Sequence, residues 1–161
     1  MFALTVPGLG PLLVDELSGL PGVVVDAKGF DGRADVVLFT ASDEVAESAL
    51  ARLLVAEDLF VEVGRTDRNA GDHPRWIAER LWRGAKVERA VAFWSRVVGH
   101  RQPGLTVRVI ARVLSERSFM RSESRRDLMR VVLHGHPRWR SGDPAQLEIW
   151  ASEYATGRFV A

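Results

Sequence analysis

Within Leu105–Arg140, LTVRVIARVLSERSFMRSESRRDLMRVVLHGHPRWR, the hydrophobic spacing changes from every second residue to every third or fourth. Leu105, Val107, Val109, Ala111 and Val113 alternate with Arg108 and Arg112, the pattern of a strand with one apolar face. After an Arg- and Ser-rich bend, Leu128, Met129, Val132 and Leu133 recur at helical spacing, and Ser122 or Ser124 stands where an N-cap is wanted. The stretch therefore reads as a strand followed by a helix. Arg121 and Arg125, and likewise Arg126 and Arg130, are each about one helical turn apart on the same stretch. A helix start supplies free backbone N–H groups and a partial positive charge, to which arginines add guanidinium forks. The combination suits phosphate, and the stretch reads as an anion-facing, RNA-facing surface.

Polar residues 67–72 (DRNAGD) divide the 161-residue chain, predicting a first domain over 1–66, a linker over 67–71 and a second domain over 72–161. In the first, Phe2–Val6 is a strand and Leu9, Leu12, Leu13 and Leu17 mark a helix. Strands Val23–Ala27 and Val36–Thr40 follow, joined by the turn-rich Gly29–Gly32. Ser42 caps the next helix, with Asp43 and Glu44 in its first turn and a stripe of Val45, Ala46, Ala49, Leu50 and Leu53. Asp58–Thr66 alternates as a last strand, giving βαββαβ, the split unit of ferredoxin-like folds. The second domain opens with a helix from Pro74 through Ile77, Ala78, Leu81 and Trp82. A helix over Lys86–Val98 follows, with Val87, Ala90, Val91, Trp94, Val97 and Val98 on one side. After the central strand and helix, Gln146–Ser152 and Arg158–Val160 read as strands, so the order is ααβαββ and the chain reads as α+β.

The net charge of +1 conceals a segregation: residues 1–64 hold three basic residues against eleven acidic, and residues 65–161 hold nineteen against ten. Such asymmetry points to a polyanion on the second half. It fits equally a protein-interaction module that self-associates through its acidic and basic halves. With 47% hydrophobic and 27% charged residues the chain is that of an ordinary globular protein. The absence of cysteine removes disulfides, thiol catalysis and thiolate metal sites. No apolar run reaches the ~20 residues that cross a bilayer, and the N-terminus lacks a signal-peptide pattern, so no membrane contact and a cytoplasmic location are expected.

Other motifs have plainer readings. Gly8-Leu9-Gly10 follows a strand and precedes a helix, but Leu13 occupies the third glycine position of a dinucleotide fingerprint and Pro11 intrudes; a tight turn explains it. Asp143-Pro144 shares two positions with the acidic-Pro-Pro-aromatic loop of amino-group methyltransferases, yet Ala145 and Gln146 follow, so a turn suffices. His134 and His136 diverge by roughly 200° on a helix, a poor metal face, and suit a helix C-terminal cation or phosphate contact, as does His100. Arg138-Trp139-Arg140 interleaves an aromatic with two guanidinium groups, able to stack an unpaired base or to cover a core edge. Trp76, Trp82, Trp94 and Trp150 fit the core. No Ser-His-Asp set, paired-carboxylate cleft or P-loop is present, so no residue is assigned a catalytic role and no metal is expected.

The opening TVPGLGPLLVDEL resembles the start of THUMP-containing guanine-N2 RNA methyltransferases, where a Gly-Leu turn precedes a helix ending in Glu-Leu. The succession of linker, two helices, strand, Ser-rich bend, basic helix and Asp-Pro turn with strand (GDPAQLEIWASE) resembles the THUMP domain that follows in that family. The resemblance implies a ferredoxin-like plus THUMP-like pair of domains that binds RNA, at the acceptor end of tRNA, and presents a guanine to a downstream methyltransferase domain or subunit using S-adenosylmethionine. That domain is expected outside this chain, which then is a fragment or a stand-alone RNA-binding remnant, and no cofactor is expected within it. The positions carried over run from Ser118 to Arg126, with Arg108 and Arg112 beside them. Together with the residue patterns they give an RNA-binding set of Arg108, Arg112, Ser118, Arg121, Ser122, Ser124, Arg125, Arg126, Arg130, Arg138, Trp139 and Arg140.

Overall fold

The computed structural model describes residues 1–26, 33–42, 45, 47–66, 73–100, 103–113 and 116–161, and they form two compact units, Met1–Val61 and Glu62–Ala161. The first contains β1 (Phe2–Leu4), α1 (Gly10–Ser18), β2 (Val23–Asp26), β3 (Val36–Ala41), α2 (Glu47–Leu50) and β4 (Asp58–Phe60). Its sheet runs β2-β3-β1-β4 with every pair antiparallel, which is the ferredoxin-like arrangement. Leu13 and Leu17, one turn apart on α1, are buried with Phe39, which alternation places on one face of β3. Gly10 owes its identity to packing: a Cβ there would lie 2.2 Å from the Ala34 carbonyl oxygen. The Gly-Leu-Gly turn is thus a close strand-to-helix approach.

Two elements of this unit are shorter than their sequence patterns. α2 is a single turn, because Arg52 and Leu53 hydrogen-bond three residues back, to Ala49 and Leu50, and the chain leaves the helix. Glu16 then accepts the N–H groups of Leu54 (2.6 Å) and Val55 (3.1 Å), fixing the approach to β4 from α1. β4 stops at Phe60, whose ring stacks on Phe2 with centroids 4.7 Å apart. The expected turn over Gly29–Gly32, the first-turn acids Asp43 and Glu44, and the linker over 67–71 lie outside the described residues.

The second unit contains α3 (Pro74–Leu81), α4 (Ala85–Val97), β5 (Thr106–Arg112), α5 (Arg121–Gly135), β6 (Arg140–Ser141), β7 (Leu147–Ala155) and β8 (Arg158–Val160). The sheet order is β6-β5-β7-β8, with β5 parallel to β6 and β7 and β8 antiparallel to β7. This is the expected ααβαββ order with a two-residue strand, β6, added before β7. Val107, Val109, Ile149, Ala151 and Phe159 share the buried sheet face; α3 and α5 supply Ile77, Leu81, Leu128 and Val132 to the same core. Residues 62–66, which alternation assigned to the strand of the first domain, hydrogen-bond here: Val63 N–H donates to Ala161 (2.7 Å) and Thr66 N–H to Phe159 (2.8 Å). The stripe of α4 is buried only at Val87 and Ala90, while Val97 and Val98 face solvent. Of the tryptophans assigned to the core, Trp82 is buried, Trp94 and Trp150 are half-buried and Trp76 is 40% exposed.

Candidate nucleic-acid interface

α5 begins at Arg121, and Met120, not a serine, occupies its N-cap. Glu123 reaches back to accept the Met120 N–H at 2.7 Å, and Met120 in turn accepts the Glu123 N–H at 2.9 Å. Neither serine takes the capping role expected of it. Ser122 is exposed in the first turn; Ser124 is buried, its hydroxyl without a partner against a small cavity lined by Ile77, Leu81, Ala111, Leu128 and Phe159. Ser118 is exposed in the bend before the helix.

The four helix arginines are all exposed. Arg126 and Arg130 lean on the buried carboxylate of Asp127 at 3.5 and 3.4 Å, which orients their guanidinium groups while leaving about 60% of each side chain in solvent. Arg121 donates to the Val113 carbonyl at 3.4 Å, tying the helix start to the end of β5. Arg125 has no partner among the described residues.

Arg108 and Arg112 do not join them. Successive strand residues point to opposite faces, and Val107, Val109 and Ala111 take the face covered by α5, so the two arginines occupy the open face. There they are engaged within the sheet. Arg108 is paired with Glu148 on β7 and with Asp143 at 3.2 Å. The hydrogen bond with Glu148 raises the Arg108 pKa, and the same bond holds the Glu148 carboxyl below its ordinary range. Arg112 lies over the Trp150 ring, 4.2 Å from its centroid, and the Trp150 indole N–H donates to Glu148 at 3.0 Å. Arg140 on β6 shares this face and donates to Thr106 Oγ1 at 3.3 Å.

At the other end of α5 an aromatic cluster forms. His136, the C-cap residue, stacks on Trp139 with centroids 3.8 Å apart and an interplanar angle of 9°. Trp82 meets both rings nearly perpendicularly, at 5.9 and 6.3 Å, and its buried indole N–H has no hydrogen-bond partner. Burial lowers the His136 pKa, opposed by the charge of Glu88. Arg138 is exposed beside the stack.

The sequence reading passed over Arg117 and Glu153. Glu153 is fully buried and paired with Arg117, and it also accepts the Gly157 N–H at 2.7 Å. The pair fastens the bend carrying Ser118 to β7. Its signal was legible: Glu153 continues the inward register of Leu147, Ile149 and Ala151, and a carboxylate there requires a cation. The helix C-terminal cation or phosphate contact expected of His134 and His136 overlooks that His136 lies three residues before Trp139, on which it stacks.

Among the described residues no three His, Asp or Glu side chains gather as a metal site, and no helix is long and apolar enough to cross a membrane. No family model and no curated protein matches the chain. Among solved structures its fold is similar to that of TrmN from Thermus thermophilus, with a TM-score of 0.58 and 21% identity over 99% of this chain and 43% of that one. The chain thus spans less than half the length of TrmN and shares the fold of that part.

Proposed function

We propose that this chain is an RNA-binding module, with tRNA as its preferred RNA, and that it serves an RNA-modifying methyltransferase. The observation that carries this reading is the solvent side of α5, where four exposed arginines follow one another along a single helix. The fold shared with TrmN supports it, as does the sequence resemblance to guanine-N2 RNA methyltransferases. S-adenosylmethionine chemistry and the acceptor-end preference come from that resemblance, and both concern the whole enzyme. Guanidinium contacts to phosphate give affinity with little sequence information, so discrimination between RNAs rests on shape and unpaired ends.

The two faces of the second unit are not equal candidates. Arg108 is already neutralised by Glu148 and Asp143, and a phosphate would have to displace them. Arg125 needs no such exchange. The logarithm of the tRNA association constant should therefore fall with log salt at a slope of about −3 to −4, as four phosphate contacts require. Arg125→Glu combined with Arg126→Glu should weaken binding to every RNA and flatten that slope, whereas Arg108→Gln should change affinity less than about twofold. Unaltered affinity in the double variant rejects α5 as the binding face.

A further inference from the structure

We infer that the His136–Trp139 stack is a docking platform for one unpaired RNA base; this rests on the RNA-binding reading and specifies a feature of the RNA. The two rings are parallel at 3.8 Å, the spacing of a stacked pair. Trp82 is nearly perpendicular to both and almost equally far from each, at 5.9 and 6.3 Å. A ring set on top of the stack would be much nearer to one member than to the other. Trp82 therefore lies beside the pair and closes neither outer face. Among the described residues no other aromatic ring or guanidinium packs over His136 or Trp139, although both are half-buried and held in place. Any nucleobase has a π-face able to extend such a stack, and exposed Arg138 stands ready for the adjoining phosphate.

The position of the platform sets a length requirement. α5 has 15 residues and so separates its first arginine from the stack by about 22 Å. A stacked strand rising about 3.4 Å per nucleotide needs about six nucleotides to reach from one to the other. A strand shorter than this reaches the rings and only the arginines nearest to them, Arg130 and Arg138, and not the helix start.

The test compares binding of single-stranded oligoadenylates of three and twelve nucleotides, and of a blunt duplex, to wild-type protein, Trp139→Leu and Trp139→Phe. Leucine keeps apolar cover over the core edge but has no π-face, whereas phenylalanine keeps one. For the twelve-mer, Trp139→Leu should bind about five- to 150-fold more weakly than wild type, the range of a lost base–aromatic stack, and Trp139→Phe should retain most of the affinity. The duplex should be indifferent to both changes. Equal twelve-mer binding by wild type and Trp139→Leu overturns the platform while leaving the arginine face standing, provided Arg125→Glu with Arg126→Glu still loses affinity. Equal losses in both Trp139 variants, accompanied by lower melting temperatures, assign the ring to packing and also overturn it. Failure of wild type to bind either strand or duplex removes the RNA reading itself.

Discussion

Protonating His136 would set a cation against the face of Trp139, an arrangement the ring quadrupole favours. Burial acts the other way and prevails, holding the imidazole below the ordinary histidine range despite the negative charge of Glu88 on α4. The folded protein thus binds this proton less readily than the unfolded chain does. The stability it contributes is complete above about pH 6.5 and is lost as pH falls through the lowered pKa. Between about pH 7.5 and 5, the melting temperature of wild type should drop more steeply than that of His136→Gln; parallel profiles would show that the ring titrates as it does in water. Arg117 and Glu153 illustrate the same cost with the opposite remedy. Both are taken out of water, each faces the other, and the Gly157 N–H donates to the same carboxylate.

Element by element, α5 shows a competition that the sequence hides. Its N-terminus offers the partial positive charge that would attract a phosphate, yet Glu123 already points a carboxylate there. Glu123→Ala should lower the melting temperature by about 2–4 °C, through loss of roughly 1 kcal/mol of capping. The same change should raise tRNA affinity by removing a like charge from the binding face. A variant that is destabilised without binding more tightly would place the phosphates away from the helix start. The periods that define β5 and α5 were plain in the residues, and so was the separation of Arg108 and Arg112 from Val107 and Val109. Which face α5 would cover was not, since period two names two faces without naming their neighbours. The merging of strand and helix arginines into one surface was therefore an assumption about packing that the fold does not support. The short α2 and β4 were illegible for a related reason: local propensity carried both patterns onward, and the hydrogen bonds from Leu54 and Val55 to Glu16 are contacts between distant residues.

Across the whole molecule, opposite charges are carried by different parts of the chain, eleven acids against three bases in residues 1–64 and nineteen bases against ten acids in residues 65–161. Each part also exposes apolar side chains: Val6, Leu9 and Leu12 around the start of α1, and Val97 and Val98 at the end of α4. Arg96 adjoins the latter on α4, and exposed Asp15 lies on α1 beside the former. We propose head-to-tail contact between copies at high concentration, the α1 region of one molecule meeting the α4 region of the next. Such a contact is heterologous, so it does not saturate at a dimer. Light scattering at low salt and without RNA should show a mass that grows with protein concentration and reverts to the monomer at high salt, because exposed charge pairs are screened over about 10 Å at 0.1 M. Leu12→Arg, which sets a like charge against the basic partner surface, should keep the chain monomeric. Excess tRNA should do the same, since a bound polyanion neutralises the basic half. A mass that stays monomeric across concentration at low salt would leave the charge segregation to RNA alone.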